Sequence, residues 1–570
     1  MCSCKQKNIP LFILCFAILI AYGTLLSQSA FAASTPGTQG MEKYDTVRLA
    51  KAAIDECFFG VGNPGNIWPY SGTCDDCYNL GGTPKVNQAY VWGIAKNGNN
   101  IWFGTAPNVH CLVISGYLGS NTPILTDSYV CEMSQNVVPG FGDFRPPDVF
   151  LYNTVAKTLT KKNILIMMAG PPHYQRFLST VGFRSAGALG DVVFLGGPAA
   201  SGSSINLFAF DNSTGAFLGS NNLPYGNIRK WLVVNNKLYA GMGNKVVKWT
   251  GTKADPWHFV AVGSVGTEDA AEIALHEGRI IVNTWPGGTG AAGLWISPVV
   301  PADANGLPAN SNNWTKVWSF ADYDPDPVTA ATYGGGALAS FDGYLYWGTM
   351  HVPMLSTLTH TTVYGDPPQD EYGQTLLGTY RAISIFRGRY FGTPSQEIQL
   401  LYGERFLPAY VGDTDGPGPE RGDWLMLPNE MGQEPRWGPS GFGNLFNNYT
   451  WAMAVYNQQL FIGTMDWLYL ALGDTLDQSN PIQMMLESLM ERDYYGADLW
   501  CFRSSRVPAY AVDTTGLSNY SSYGVRNLLS DDALYVGMAN PMNLMTNPND
   551  NKPEGGWELL KITVRQKGQP

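Results

Sequence analysis

Three arginines stand at matching places in otherwise apolar stretches: Arg184 in "FRSAGALGD", Arg229 in "IRKWLVVNN" and Arg526 in "VRNLLSDD". A guanidinium inside a strand is costly unless it is paired, so such a set marks internal ion pairing or a site. The plain alternative is that each arginine pairs with a neighbouring carbonyl, with Glu272 or with Asp466. Brought together, the three would hold a carboxylate or phosphate through forked N–H donors. Trp92, Glu272 and Trp451 fall at the same offset in related segments, and Trp285 falls just past the end of another.

A second set suits metal-assisted chemistry. Asn108, Glu272, Asp466 and Asn540 offer oxygen ligands hard enough for calcium, with Asp466 or His351 as a base beside them. "ADYDPDP" alternates Asp322, Asp324 and Asp326, a candidate calcium loop whose ordinary reading is a solvated turn. No G-x-S-x-G nucleophile elbow, H-E-x-x-H helix or Walker phosphate loop occurs. The formal charge of -11 argues against nucleic acid and anionic membrane surfaces as partners.

The elements that carry these residues repeat. "NIWFGTAPN", "VVFLGGP", "KLYAGMGN", "RIIVNTWP", "YLYWGTMHVP", "QLFIGTMDW" and "ALYVGMANP" are seven copies of one phrase. Each is a short aromatic or β-branched strand that runs into Gly (once Asn283) and then a small residue or Met. About ten residues upstream each has a partner strand ending in a tight Asn-Gly, Asn-Asn, Asp-Gly or Asp-Asp type of turn, the hairpin chemistry that needs positive φ. Outer strands follow, as in "DVFLYNTVAKTLT", "INLFAFDNSTGAFLGS", "GLWISP" and "WELLKITV". The expected fold class is all-β: a single seven-bladed β-propeller of four-stranded antiparallel blades with long loop insertions. An eighth, degenerate blade would have to lie within 161–183. In this reading the phrase strands line the channel, and the residues after their glycines project at its mouth.

The "LYxGT" strand followed by these outer strands resembles the kelch, NHL and quinoprotein-like propeller superfamily, from Ala89 to the C-terminus. The tail "LYVGMANPMNL…GGWELLKI" resembles terminal blades of secreted bacterial propellers whose roles are mostly unassigned. The resemblance implies fold and export and leaves function open. Propeller hydrolases of the lactonase and phosphotriesterase type hold calcium through Asn, Asp and Glu at the channel, which is what would single out the four oxygen donors above. A quinone cofactor is not expected, because the outer-strand motif of the quinoprotein dehydrogenases occurs once, with no docking Trp.

Residues 1–32 read as a signal peptide: Lys5 and Lys7, an apolar run, and Ala30-Phe31-Ala32 as the cleavage site. Residues 33–88 read as an N-terminal extension with a disulfide-tied loop around "CDDCY", and 89–570 as the propeller, with a large loop insertion at about 355–444. Cys111 and Cys131 are expected to pair across a hairpin. The sequence thus describes an exported protein, periplasmic, cell-surface or extracellular, with no transmembrane span after signal cleavage. Its foremost function is binding a glycan, peptide or envelope protein through its channel mouth and long loops. The alternative is a calcium-dependent ester or lactone hydrolase with the site in the channel.

Overall fold

The computed structural model describes residues 43–60, 63–107, 109, 145–200, 203–287, 290–303, 305–310, 314–368, 371–412, 422–470, 495–541 and 555–565. Four-stranded antiparallel units succeed one another along the chain. Unit 1 is Gln88–Asn97, Asn100–Pro107, Val149–Asn153 and Thr158–Lys161. Unit 2 is Ser185–Leu189, Val192–Pro198, Ile205–Asp211 and Phe217–Leu223. Unit 3 is Ile228–Val234, Lys237–Met242, Lys245–Trp249 and Phe259–Ser264. Unit 4 is Asp269–His276, Arg279–Trp285, Gly293–Val299 and Thr315–Ser319. Unit 5 is Gly334–Phe341, Tyr344–Met350, Ile385–Arg389 and Glu397–Tyr402. Unit 6 is Asn447–Tyr456, Gln459–Asp466, Leu499–Phe502 and Tyr510–Asp513. Unit 7 takes Gly524–Ser530, Leu534–Ala539 and Glu558–Val564 from the end of the chain and Tyr44–Lys51 from near its start.

The first strand of each unit lies beside the first strand of the next, and that of unit 7 lies beside that of unit 1. Sheets laid in sequence and meeting through their first strands make a β-propeller. The turns follow from sequence: Asn235 and Asn236, Glu277 and Gly278, Asp342 and Gly343, and Asn457 and Gln458 all hold positive φ. The phrase strands are therefore the second strand of each unit, and the upstream partners are innermost. This corrects the expectation that the phrase strands line the channel. Thr105, Met242, Thr284, Thr349, Met350, Thr464, Met465 and Met538 are buried inside the sheets instead of projecting at a mouth.

The recurring glycine is explained by contact between units. A Cβ on Gly241 would lie 2.6 Å from the Ala270 carbonyl oxygen, on the first strand of the next unit. On Gly348 it would lie 2.2 Å from Thr450, on Gly463 2.3 Å from Val525, and on Gly537 2.7 Å from Val91, again each time on the following unit. Unit 4 has Asn283 instead, and there the next unit yields: Gly335 and Gly336 in "GGGALA" leave room for it. Asn283 Nδ2 donates to the Gly336 carbonyl at 2.8 Å.

The threonine after the glycine has its own task. The Oγ1 of Thr105, Thr284, Thr349 and Thr464 accepts from the backbone N–H of Asp148, Gly293, Ser384 and Asp498 at 2.7, 2.9, 2.9 and 3.0 Å. Each of those residues begins or immediately precedes a third strand. Gly-Thr thus brings one sheet against the next and fixes where its own third strand starts.

The stretch 355–444 is not one insertion. It contains the outer two strands of unit 5, flanked by helices Leu355–Tyr364 and Tyr372–Thr379 on one side and a hairpin, Phe406–Val411 with Asp423–Pro428, on the other. Residues 161–183 fold as two short helices, Asn163–Met168 and His173–Leu178. In the N-terminal extension Cys57 is bonded to Cys77. The expected Cys111–Cys131 pair and the signal segment 1–32 lie outside the described residues. Among the described residues no helix is long and apolar enough to cross a membrane.

Candidate functional site

The first strands of every unit but unit 2 share a defect. In unit 1 Val91 pairs with Thr105 and Gly93 with Gly104, leaving Trp92 as an extra residue. The same shift leaves out Trp451 in unit 6 and Arg526 in unit 7, and in unit 3 it spans Arg229 and Lys230. Unit 4 carries its bulge between Ala270 and Glu272. Every one of these bulges lies opposite the glycine of the phrase strand or the Asn283 that replaces it. A bulge re-aims the residue it contains and strengthens the local twist. Here four of the extra positions hold Trp92, Arg229, Trp451 and Arg526. In unit 2 Arg184 immediately precedes the first strand.

The six arginines and tryptophans form three cation–π pairs. Arg184 lies 5.4 Å from the Trp92 ring, Arg229 3.8 Å from Trp285 and Arg526 5.5 Å from Trp451. All three pairs cross between neighbouring units. The three guanidiniums also feel one another. Burial pushes Arg526 down to about 10; Glu272 opposes that shift, and the charges of Arg184 and Arg229 reinforce it.

Their surroundings differ. Arg184 donates to Asn227 Oδ1 at 3.0 Å, and Asn227 in turn donates to Asp269 at 3.1 Å. Glu272 faces Lys230 at 3.6 Å. Arg526 is 8% exposed, its Nε has no hydrogen-bond partner, and no hydrogen bond or salt bridge joins it to any described residue. On its other side stands an aromatic wall. Tyr90 packs edge-on against Trp92, Trp451 and Tyr523 at centroid distances of 6.4, 5.7 and 5.8 Å, and the Tyr90 and Tyr523 hydroxyls are hydrogen-bonded. Sequence reading did not single out Tyr90, Tyr523 or Lys230. Tyr90 stands two residues before Trp92 on the same innermost strand, but the bulge at Trp92 hides their contact from the simple period of a strand.

The metal and base candidates that lie among the described residues have separate partners. His351 is buried with its ring 4.1 Å from that of Tyr333 and its Nε2 3.0 Å from Thr349 Oγ1. Burial, with the Arg381 charge nearby, holds it well below the usual histidine range. Asp466 is enclosed, accepting from Asn444 Nδ2 at 2.8 Å and from the Leu468 N–H at 2.9 Å. Asn540 donates its amide to the Gly556 carbonyl from a buried position, and Asn108 lies outside the described residues. Among the described residues no group of three or more His, Cys, Asp or Glu is placed to hold a metal ion. Of the described candidates, Glu272 faces Lys230, and Asp466 and Asn540 are each engaged by neighbours of their own.

Of the aspartates of "ADYDPDP", Asp322 is exposed and accepts from the Ser319 N–H at 2.8 Å, whereas Asp324 and Asp326 are buried. Asp324 receives Arg381 Nε at 2.7 Å and the Tyr333 hydroxyl at 2.6 Å. Asp326 caps the helix that follows by accepting from the Thr329 N–H at 2.7 Å, and it also accepts from the Tyr410 N–H at 3.0 Å. Buried carboxylates with this many donors tie the hairpin and helices of 355–444 to the sheets.

No family model matches the sequence, and no curated protein matches it. Among solved structures, the N-terminal domain of Nup159 is 7% identical, with 92% of this chain and 97% of that one covered at a TM-score of 0.34. The β-propeller domain of the Trilobed protease from Pyrococcus furiosus is 8% identical, over 80% of this chain and 91% of that one, at 0.32. The computationally designed Ika8 protein is 9% identical, over 84% and 98%, at 0.30. At such identities and scores the likenesses carry no inference about activity or ligand.

Proposed function

We propose that this chain is an exported binding protein, a single seven-bladed propeller that receives an anionic group of its partner at the inner edge of its blades. The observation that carries this reading is Arg526: a guanidinium nine-tenths buried, without a hydrogen-bond or salt-bridge partner among the described residues, set where Arg184, Arg229 and Glu272 act on it. A buried charge left unpaired is costly, and a ligand oxyanion offsets that cost. His351, Asp466 and Asn540, on which a channel hydrolase would depend, are buried and engaged by neighbours, so no observation among the described residues favours that reading. The signal peptide at 1–32 belongs to this proposal, as does placement in the periplasm, at the cell surface or outside the cell.

The partner is a glycan, peptide or envelope protein that carries acidic groups. The test compares the wild-type chain with Arg526→Met on an array of uronate-bearing, sulfated and neutral oligosaccharides and of acidic and neutral peptides. The expected result is binding confined to acidic members and lost in the variant. Binding that ignores charge, or that survives the substitution, overturns the proposal.

A further inference from the structure

A serine, a histidine and a glutamate meet where unit 4 packs against unit 5, at the turn end of their first strands. His276 ends the first strand of unit 4, Glu277 opens the turn that follows, and Ser340 lies on the first strand of unit 5. The Ser340 hydroxyl is 2.8 Å from His276 Nδ1. The imidazole is 4% exposed, its Nε2 has no hydrogen-bond partner among the described residues, and Glu277 Oε1 stands 3.8 Å from that nitrogen. Ser340 itself is exposed. This geometry calls for the Nε2–H tautomer, with Nδ1 accepting from the serine and Nε2–H turned toward Glu277.

The groups around the ring are few. Arg279 stands opposite His276 in the strand pair and donates to the Ser297 carbonyl at 2.8 Å. Phe391 packs edge-on against the imidazole at 6.0 Å, and the Tyr390 N–H beside it donates to the two Glu277 oxygens at 3.1 and 2.9 Å. Burial holds His276 below the usual histidine range, and Glu277 opposes that shift. At neutral pH the ring is therefore uncharged and able to take a proton. A hydroxyl, a base in contact with it and a carboxylate beyond the base are the parts of covalent ester hydrolysis, here assembled from two units with no local motif.

We propose that Ser340 is the nucleophile of an esterase site, with His276 as its general base and Glu277 as the residue that positions the imidazole and balances its charge. Ser340 Oγ adds to the carbonyl carbon of a carboxylic ester and passes its proton to His276 Nδ1. The bond to the alcohol oxygen breaks as that oxygen takes the proton from Nδ1, leaving an acyl-serine. Water then gives a proton to the same nitrogen and adds to the acyl carbon; the carboxylic acid departs and Ser340 recovers its proton. Glu277 faces the positive ring formed in each half. Because Ser340 is at the surface, the site takes an ester displayed on a larger molecule, without passage into the channel.

The test treats the full chain with a biotinylated fluorophosphonate and with p-nitrophenyl acetate. Peptide mass spectrometry is expected to place the label on Ser340, and Ser340→Ala, a change at an exposed position, to abolish both label and ester hydrolysis. His276→Gln is expected to slow labelling about a hundredfold or more. The wild-type rate should rise with pH through a midpoint below about 6.5, and Glu277→Gln should lower that midpoint further by removing the charge that favours the protonated ring. Absence of label on Ser340, or equal labelling in a folded His276→Gln variant, overturns the proposal. Should His276→Gln not fold, a wild-type rate that shows no such midpoint overturns it by itself. An unchanged midpoint in Glu277→Gln overturns the part given to Glu277.

Discussion

Asp498 shows how much a single buried group decides. It is 2% exposed, and its Oδ2 accepts from Asn447 Nδ2 at 2.6 Å and Trp500 Nε1 at 3.1 Å. Burial pushes its carboxyl up to about 6, and the same cause pushes neighbouring Asp466 up to about 7. A carboxyl raised in the fold binds its proton more tightly there than in the unfolded chain. Its stabilising contribution is therefore complete below about pH 4 and is lost as the pH rises through about 6. Asp498→Asn keeps an acceptor for both donors and removes the titration. Denaturant unfolding of this variant is expected to give a flatter stability profile between pH 4 and 7. At pH 8 it should be more stable than wild type by roughly 3 kcal/mol at most. A profile that still falls as steeply as wild type would remove Asp498 from the account. At this same scale the arginines were legible, since a charged side chain in an apolar strand is conspicuous. Their pairing with particular tryptophans was not, because each bulge shifts its residue relative to the simple two-residue period of a strand.

Among the elements, the Gly-Thr step is the device that repeats. Thr464 is fully buried, and its hydroxyl accepts from the Asp498 N–H, so Thr464→Val leaves a buried donor unsatisfied at the start of the third strand of unit 6. A loss of about 1–3 kcal/mol is expected in equilibrium unfolding. Gly241→Ala forces a Cβ against the Ala270 carbonyl of the next unit and is expected to cost a similar amount. If either variant unfolds at the wild-type midpoint, the step is not what joins the units. The hairpins themselves were readable from their turns and alternation. The outer strands of unit 5 were not, because helices and a polar loop separate them from their own hairpin, and pairing between distant segments leaves no local pattern. Likewise "ADYDPDP" reads as a solvated turn until Arg381, Tyr333 and Tyr410 arrive from elsewhere in the chain.

For the molecule as a whole, closure depends on the two ends of the chain meeting. Tyr44–Lys51 pairs antiparallel with Glu558–Val564, and the Tyr44 hydroxyl reaches Gln459 at 2.9 Å and Tyr510 at 2.6 Å on unit 6. Removing residues 1–52 exposes the edge of that C-terminal strand, an invitation to association. The shortened chain is expected to unfold at lower denaturant and to self-associate in gel filtration. A synthetic peptide of residues 43–52 added in trans should restore the monomer. A truncated chain that stays monomeric with an unchanged midpoint would show that this strand does not close the ring. The sequence by itself determined the repeating hairpin and its turns, since both are written in local period and residue type. Only the tertiary structure decided which strand is innermost, which tryptophan lies under which arginine, and that Arg526 has no partner among the described residues. Those are relations between units far apart in the chain, fixed by packing and burial once the sheets assemble.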